Sequence, residues 1–118
     1  MRRSIPNRDI TFRHEDGCLV RTVMGADGRT YTHRCTRAAF ETVAHAIGET
    51  PIEGEGASLM QIARQESLAF TQVNVAMEFL KELGIVDVRH RRCYPAGDGL
   101  HLDAMVEWHA LREEPRPA

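Results

Sequence analysis

No apolar run in the 118 residues approaches the length needed to cross a bilayer, which excludes a membrane-spanning chain. Met1-Arg2-Arg3 carries the charge that opens an export signal, but SIPNRDITFRHEDG follows where such a signal needs an apolar stretch, so a cytoplasmic location is expected. Cysteine is scarce: Cys18, Cys35 and Cys93 form no CxxC pair and no zinc-ribbon spacing. That argues against a secreted disulfide framework and for reduced thiols. A glycine-rich phosphate loop, an HExxH pair, a nucleophile elbow and a close carboxylate pair are all missing. With them go the usual grounds for expecting an enzyme. No catalytic residue, no cofactor and no metal site is therefore expected, and neither an internal repeat nor a low-complexity tract is visible.

An excess of one charge is missing too, since the net charge is -2. The total hides a pattern. Basic against acidic residues number eight to four over 1–37, none to four over 38–57, five to four over 58–96 and two to five over 97–118. The total argues against a generally basic coat for nucleic acid, and local basic patches remain.

What is there begins with ITFRHE-DG-CLVRTVM-GADG-RTYTHRCT, rich in β-branched and aromatic residues and joined by Asp-Gly pairs. It predicts a three-stranded antiparallel meander over roughly 9–35. Isolated hairpins are marginal in water, so this unit, 1–35, is read as an appendage that leans on helices or on a second subunit. A two-residue Ala26-Asp27 loop places Cys18 opposite Cys35 and Val20 opposite His33, and an Asp27-Gly28 loop is the alternative. His14, Cys18, His33 and Cys35 share this sheet, but cytosolic cysteines more often serve as small buried hydrophobes than as metal or redox groups.

Thr36 is an N-cap signal, Phe40, Val43, Ala44 and Ile47 recur at helical spacing, and Gly48 is a stop. ETPIEGEGA then reads as an acidic connector with a short strand at Ile52. Ser58-Leu59-Met60-Gln61 has the form of a capping box opening a short helix. From Ala69 to Leu83, Val73, Ala76, Met77 and Leu80 form one apolar stripe ended by Gly84, and Leu80→Ala is expected to cost ~2–5 kcal/mol. IVDVRHRRCYPAG alternates as a hairpin strand does. A last helix is expected to be capped by Asp103, with Met105, Val106, Trp108 and Leu111 on more than one stripe, which calls for two partners. The closing EPRPA is expected to be disordered. His45, His101 and His109 read as surface or helix-end groups.

Over 36–99 the order is helix, connector, short helix, tight turn, helix, Gly-Ile-Val and basic hairpin. Ile62-Ala63, Leu68, Val73, Leu80 and LGIV stand at the spacing L-A-x-x-x-x-(I/V)-x-x-x-x-V-x-x-x-x-x-x-L-x-x-x-G-(I/L)-V. Over about half of the chain, this resembles the winged helix-turn-helix of bacterial transcription regulators. The family often has Ser or Thr opening the third helix, and Ala69 stands there instead, leaving the cap to Thr71 or weak.

The resemblance implies an α+β chain in which a winged helix-turn-helix at 36–99 follows the β-meander and precedes a C-terminal helix and tail at 100–118. It also implies a small transcription regulator that binds double-stranded DNA; the two apolar stripes of the last helix add the expectation of a homodimer through the C-terminal helix, with the N-terminal sheet as a further candidate surface, which would address half-sites about one helical turn apart. A recognition helix at about 69–83 enters the major groove. Projection at 3.6 residues per turn turns Thr71, Asn74, Val75, Glu78 and Glu82 outward, with Gln72 and Phe70 at the flanks. Thr71, Gln72, Asn74 and Val75 are then the base-reading set, with amides for adenine edges and Val75 for a thymine methyl. A wing at about 85–96 brings Arg89, His90, Arg91 and Arg92, with Arg64 and the amino-terminal arginines, to phosphates or the minor groove. The alternative is a winged helix used as a protein-interaction or assembly module without DNA binding, favoured by the absence of basic residues on the third helix's outer face.

Overall fold

The computed structural model of the chain describes residues 9–51, 53–111 and the backbone of 116–117; the short strand expected at Ile52 and the amino-terminal arginines lie outside them. The architecture is mixed α+β. It runs β1 (Asp9–Glu15), β2 (Cys18–Met24), β3 (Thr30–Thr36), α1 (Arg37–Gly48), α2 (Leu59–Glu66), α3 (Phe70–Glu82), β4 (Val86–Arg89), β5 (Arg92–Pro95), α4 (Leu100–Leu111) and β6 (Arg116–Pro117). Among the described residues no helix is long and apolar enough to cross a membrane.

The meander is antiparallel, in the order β3-β2-β1, with β6 on the free edge of β1. The strand at Arg116–Pro117 differs from the disordered tail expected, and its proline sits on an edge strand, where sheets tolerate one. The first hairpin turns through Asp16-Gly17, both at positive φ, as a two-residue loop of twisted strands requires. The second hairpin closes differently from either loop expected. Met24 pairs with Thr30, Gly25 N–H donates to the Arg29 carbonyl at 2.9 Å, and Ala26-Asp27-Gly28 forms the tip. Cys35 therefore lies opposite Leu19, and His33 opposite Arg21, one position away from the pairing expected with Cys18 and Val20.

Capping chemistry sets the helix starts. The Thr36 hydroxyl accepts from Ala39 N–H at 3.1 Å, and Ser58 and Gln61 form the reciprocal box expected of them. Ala69 caps α3 without any side-chain bond, and Thr71 does not replace it. The end of α3 is a Schellman arrangement: Gly84 N–H donates to Lys81 and Ile85 N–H to Leu80, which requires the left-handed φ of +74° at Gly84. α4 begins at Leu100, so Asp103 sits in its first turn, near the positive end of the helix dipole, and is not the cap.

One core joins the sheet to the helices. Phe12 of β1 meets Phe79 of α3 edge-on at 5.2 Å, Phe79 meets Phe40 of α1 at 5.9 Å, and Phe40 meets Trp108 of α4 at 4.9 Å. All four rings are buried. Phe12, Leu19 and Cys35 of the sheet's inner face are thus part of the same apolar interior as α1, α3 and α4, with Arg21 as the buried charge on that face.

Candidate functional site

α3 lies between two layers. Val73, Ala76, Met77 and Leu80 face the helical side, as its periodicity predicts. Val75 and Phe79 form a second stripe on the opposite side, where α3 packs on β2 and β3. Val75 is 0% exposed, so the outward position expected of it as a contact for a thymine methyl is corrected: the sheet covers it.

The polar residues beside that stripe are held by the sheet. Arg21 is 9% exposed, and its guanidinium donates to Glu78 Oε1 at 2.6 Å and to Asn74 Oδ1 at 3.2 Å. A guanidinium has donors only, so the 3.1 Å contact between its second terminal nitrogen and His33 Nδ1 makes that nitrogen the acceptor. Gln72 Oε1 accepts from the backbone N–H of Thr36 at 2.9 Å and ties the β3-to-α1 junction to α3. Of the four residues expected to read bases, only Thr71 is exposed; Gln72 and Asn74 are half-buried and engaged. Glu82 is exposed as expected, and Glu78 is not.

Arg21 is the residue of this cluster that sequence reasoning missed. Its signal was a cation alternating with Leu19 and Val23 on one face of a strand, the apolar face, where a charge needs a specific partner.

The basic hairpin is built next to α2. Ala57 N–H and C=O both bond the backbone of Cys93, so a one-residue bridge lies alongside β5. Gly56 permits this approach: a Cβ there would lie 2.7 Å from Arg92 Cβ and from the Tyr94 ring, and its φ is +77°. Arg89 stacks its guanidinium 3.8 Å from the centre of the Tyr94 ring, and the Tyr94 hydroxyl donates to the Gly54 carbonyl at 3.2 Å. Arg92 Nη1 donates to Gln61 Oε1 of α2 at 3.5 Å. The tip is His90-Arg91, at φ of 50° and 67°. Two successive left-handed residues make the primed turn that twisted hairpins favour, normally supplied by Asn-Gly. Arg64, Arg89, His90 and Arg91 are exposed, and Arg92 is half-buried.

The remaining chemistry-bearing groups do not converge. His14 meets Trp108 edge-on at 5.1 Å, and His45 of α1 stacks on His101 of α4 at 3.9 Å. Burial, with Cys18 close by, pushes the Cys35 thiol from its ordinary 9.0 up to about 12. Burial raises Cys93 as well, against a smaller opposing pull from Lys81. No group of three His, Cys, Asp or Glu able to hold a metal occurs among the described residues. Compared with known proteins, the chain matches no family model, no curated protein and no solved structure.

Proposed function

We propose that α1, α2, α3 and the β4-β5 hairpin constitute a winged helix that acts as a non-catalytic protein-interaction or assembly module rather than as a reader of DNA bases. The element order, the tight turn through left-handed Ser67, the anchoring of Gly84-Ile85 on Leu80 and the Ala57 bridge beside the hairpin support the winged-helix assignment. The functional reading rests on the occlusion of α3. A base-reading helix needs side chains free to reach a groove edge. Here Val75 is inside, Asn74 is bonded to Arg21 and Gln72 to Thr36.

The second reading is the transcription regulator, favoured by Arg64, Arg89, Arg91 and Arg92, which have no ion-pair partner among the described residues. For base reading it requires the sheet to leave α3, which separates Phe12 from Phe79 and exposes Val75. Titration of the full chain with heterogeneous duplex DNA distinguishes the two. The interaction module binds no duplex even at low salt. The regulator binds with steep salt dependence, Arg91→Ala lowers the salt slope by about 1, and Asn74→Ala relaxes preference at one base position.

The proposal includes a homodimer through α4, whose outer side exposes Leu102 and Val106. It also includes a cytosolic location, which the three free cysteines support.

A further inference from the structure

We propose that the face shared by α2 and the basic hairpin docks a short segment of a partner protein that carries carboxylates interleaved with an apolar side chain. This rests on the interaction-module reading and names the chemistry of the partner.

Charge pairing is segregated in the fold. Every described arginine outside this face, from Arg13 to Arg37, has a carboxylate ion-pair partner. Arg64, Arg89, Arg91 and Arg92 have none among the described residues. Arg89 pairs with Arg92 across the hairpin, Arg92 reaches Gln61, Arg64 stands one turn beyond Gln61 on α2, and Arg91 sits at the adjoining tip, so the cations of the hairpin and of α2 are neighbours.

The surface is held ready for an anion. Stacking on Tyr94 fixes Arg89, Gln61 fixes Arg92, and the left-handed turn carries Arg91 to the tip. Cations fixed before binding lose less side-chain entropy when an anion arrives. Backbone strain kept at a surface turn marks a place where the displayed side chains matter more than local stability.

Three features select a peptide over a nucleic-acid backbone. Met60 is 52% exposed one turn before Arg64, an apolar contact that a phosphodiester chain would not use. Beyond Gln61, the groove between α2 and the connector is lined by Glu49, Glu55 and Glu66, which would repel a long polyanion continuing across it. α3 adds a single exposed cation, Lys81 in its last turn, beside exposed Glu82, while Glu78 is committed to Arg21. A short acidic segment can end before the carboxylates, and Arg forks suit its oxygens.

The test uses the full chain, a labelled peptide of alternating Glu and Leu, its Lys-Leu counterpart, and a mixed-sequence duplex. The Glu-Leu peptide binds, its affinity falls as salt rises, and the Lys-Leu peptide does not bind. Arg64→Glu and Arg91→Glu, both at exposed positions, each weaken binding by roughly tenfold or more, and Met60→Ala weakens it at unchanged salt dependence. Equal binding of both peptides, or insensitivity to both charge reversals, overturns the proposal. So does duplex binding tighter than that of the Glu-Leu peptide, which would make the polyanion a nucleic acid. Self-association abolished by Arg91→Glu also overturns it, by making the occupant a second copy. Binding of neither probe sinks the docking site and leaves the interaction-module reading intact, whereas duplex binding at low salt with steep salt dependence sinks that reading itself.

Discussion

Arg21 of β2 and Glu78 of α3 stand 57 positions apart in sequence and 2.6 Å apart in space, with Asn74 Oδ1 and His33 Nδ1 as further partners of the same guanidinium. The arrangement bolts the meander across the outer face of α3. It is one polar contact set into an apolar interface, so its net worth depends on the partners left behind when one member is removed.

Removal of both partners is expected to cost less than the two single removals added together. Arg21→Met leaves the Glu78 carboxylate half-buried and unpaired, and Glu78→Gln leaves the guanidinium without its anion; each should lower stability by ~1–3 kcal/mol. The double variant should fall short of the sum by ~0.5–3 kcal/mol, the coupling of residues in direct contact. Urea denaturation of the four proteins measures it. Strict additivity would mean that the clasp contributes nothing to holding the sheet on α3.

The starts of α1 and α2 and the end of α3 were legible because their chemistry is local, whereas the start of α4 was misplaced at Asp103. Thr36, the Ser58-Gln61 box and Gly84 each act within one turn, and all three do in the structure what their residue types dictate. The sheet's docking on α3 was not read because Val75 follows Asn74 and lies opposite Val73, so a single-stripe projection puts it outside. Val75 and Phe79 are four apart, however, and make a second stripe. The rule applied to α4, that a helix apolar on two sides has two partners, was available for α3 as well. The Cys35 pairing was missed for another reason: the loop contains Gly25, Asp27 and Gly28, and several tip geometries fit it equally well.

Cys35 makes the fold sensitive to alkali. Burial, with Cys18 close by, pushes its thiol from 9.0 up to about 12, so the folded state is expected to keep a proton that the unfolded chain releases. A raised value contributes stability that is complete below pH 9.0 and is lost as pH rises toward about 12. Melting temperatures measured across that range should fall more steeply for the native chain than for Cys35→Ala, even though the variant starts lower because of its smaller side chain. In the native state, thiol reagents should modify half-buried Cys18 well before Cys35 or Cys93. Parallel alkaline slopes for the two proteins would remove Cys35 as the cause.

The hairpin tip places two residues that are neither glycine nor asparagine, His90 and Arg91, in the left-handed region. Replacing them by Asn-Gly, the pair that primed turns prefer, should raise stability by about 1–2 kcal/mol. The same double variant should bind the Glu-Leu peptide more weakly, since it removes Arg91. A stabilised variant with undiminished binding would separate the strain from the docking function, and a variant with no gain in stability would show that the turn carries no strain.

α4 presents the two-sided pattern that α3 resolves with the sheet. Leu100, Ala104, Met105, Trp108 and Leu111 are buried on its inner side, whereas Leu102 and Val106, 68% and 57% exposed, project one turn apart on the outer side. If a second copy covers them, the two helices cross near Val106. An antiparallel arrangement then sets Asp103 of each copy toward His109 of the other, since the two positions lie three residues to either side of the crossing. Sedimentation of the native chain should show a dimer at micromolar concentration, and Val106→Glu should give a folded monomer, because each copy would bring a carboxylate to the crossing. An unchanged helical signal in that variant separates loss of association from loss of fold. A native chain that stays monomeric throughout the concentration range would assign the outer side of α4 to water, and the dimer would have to be abandoned.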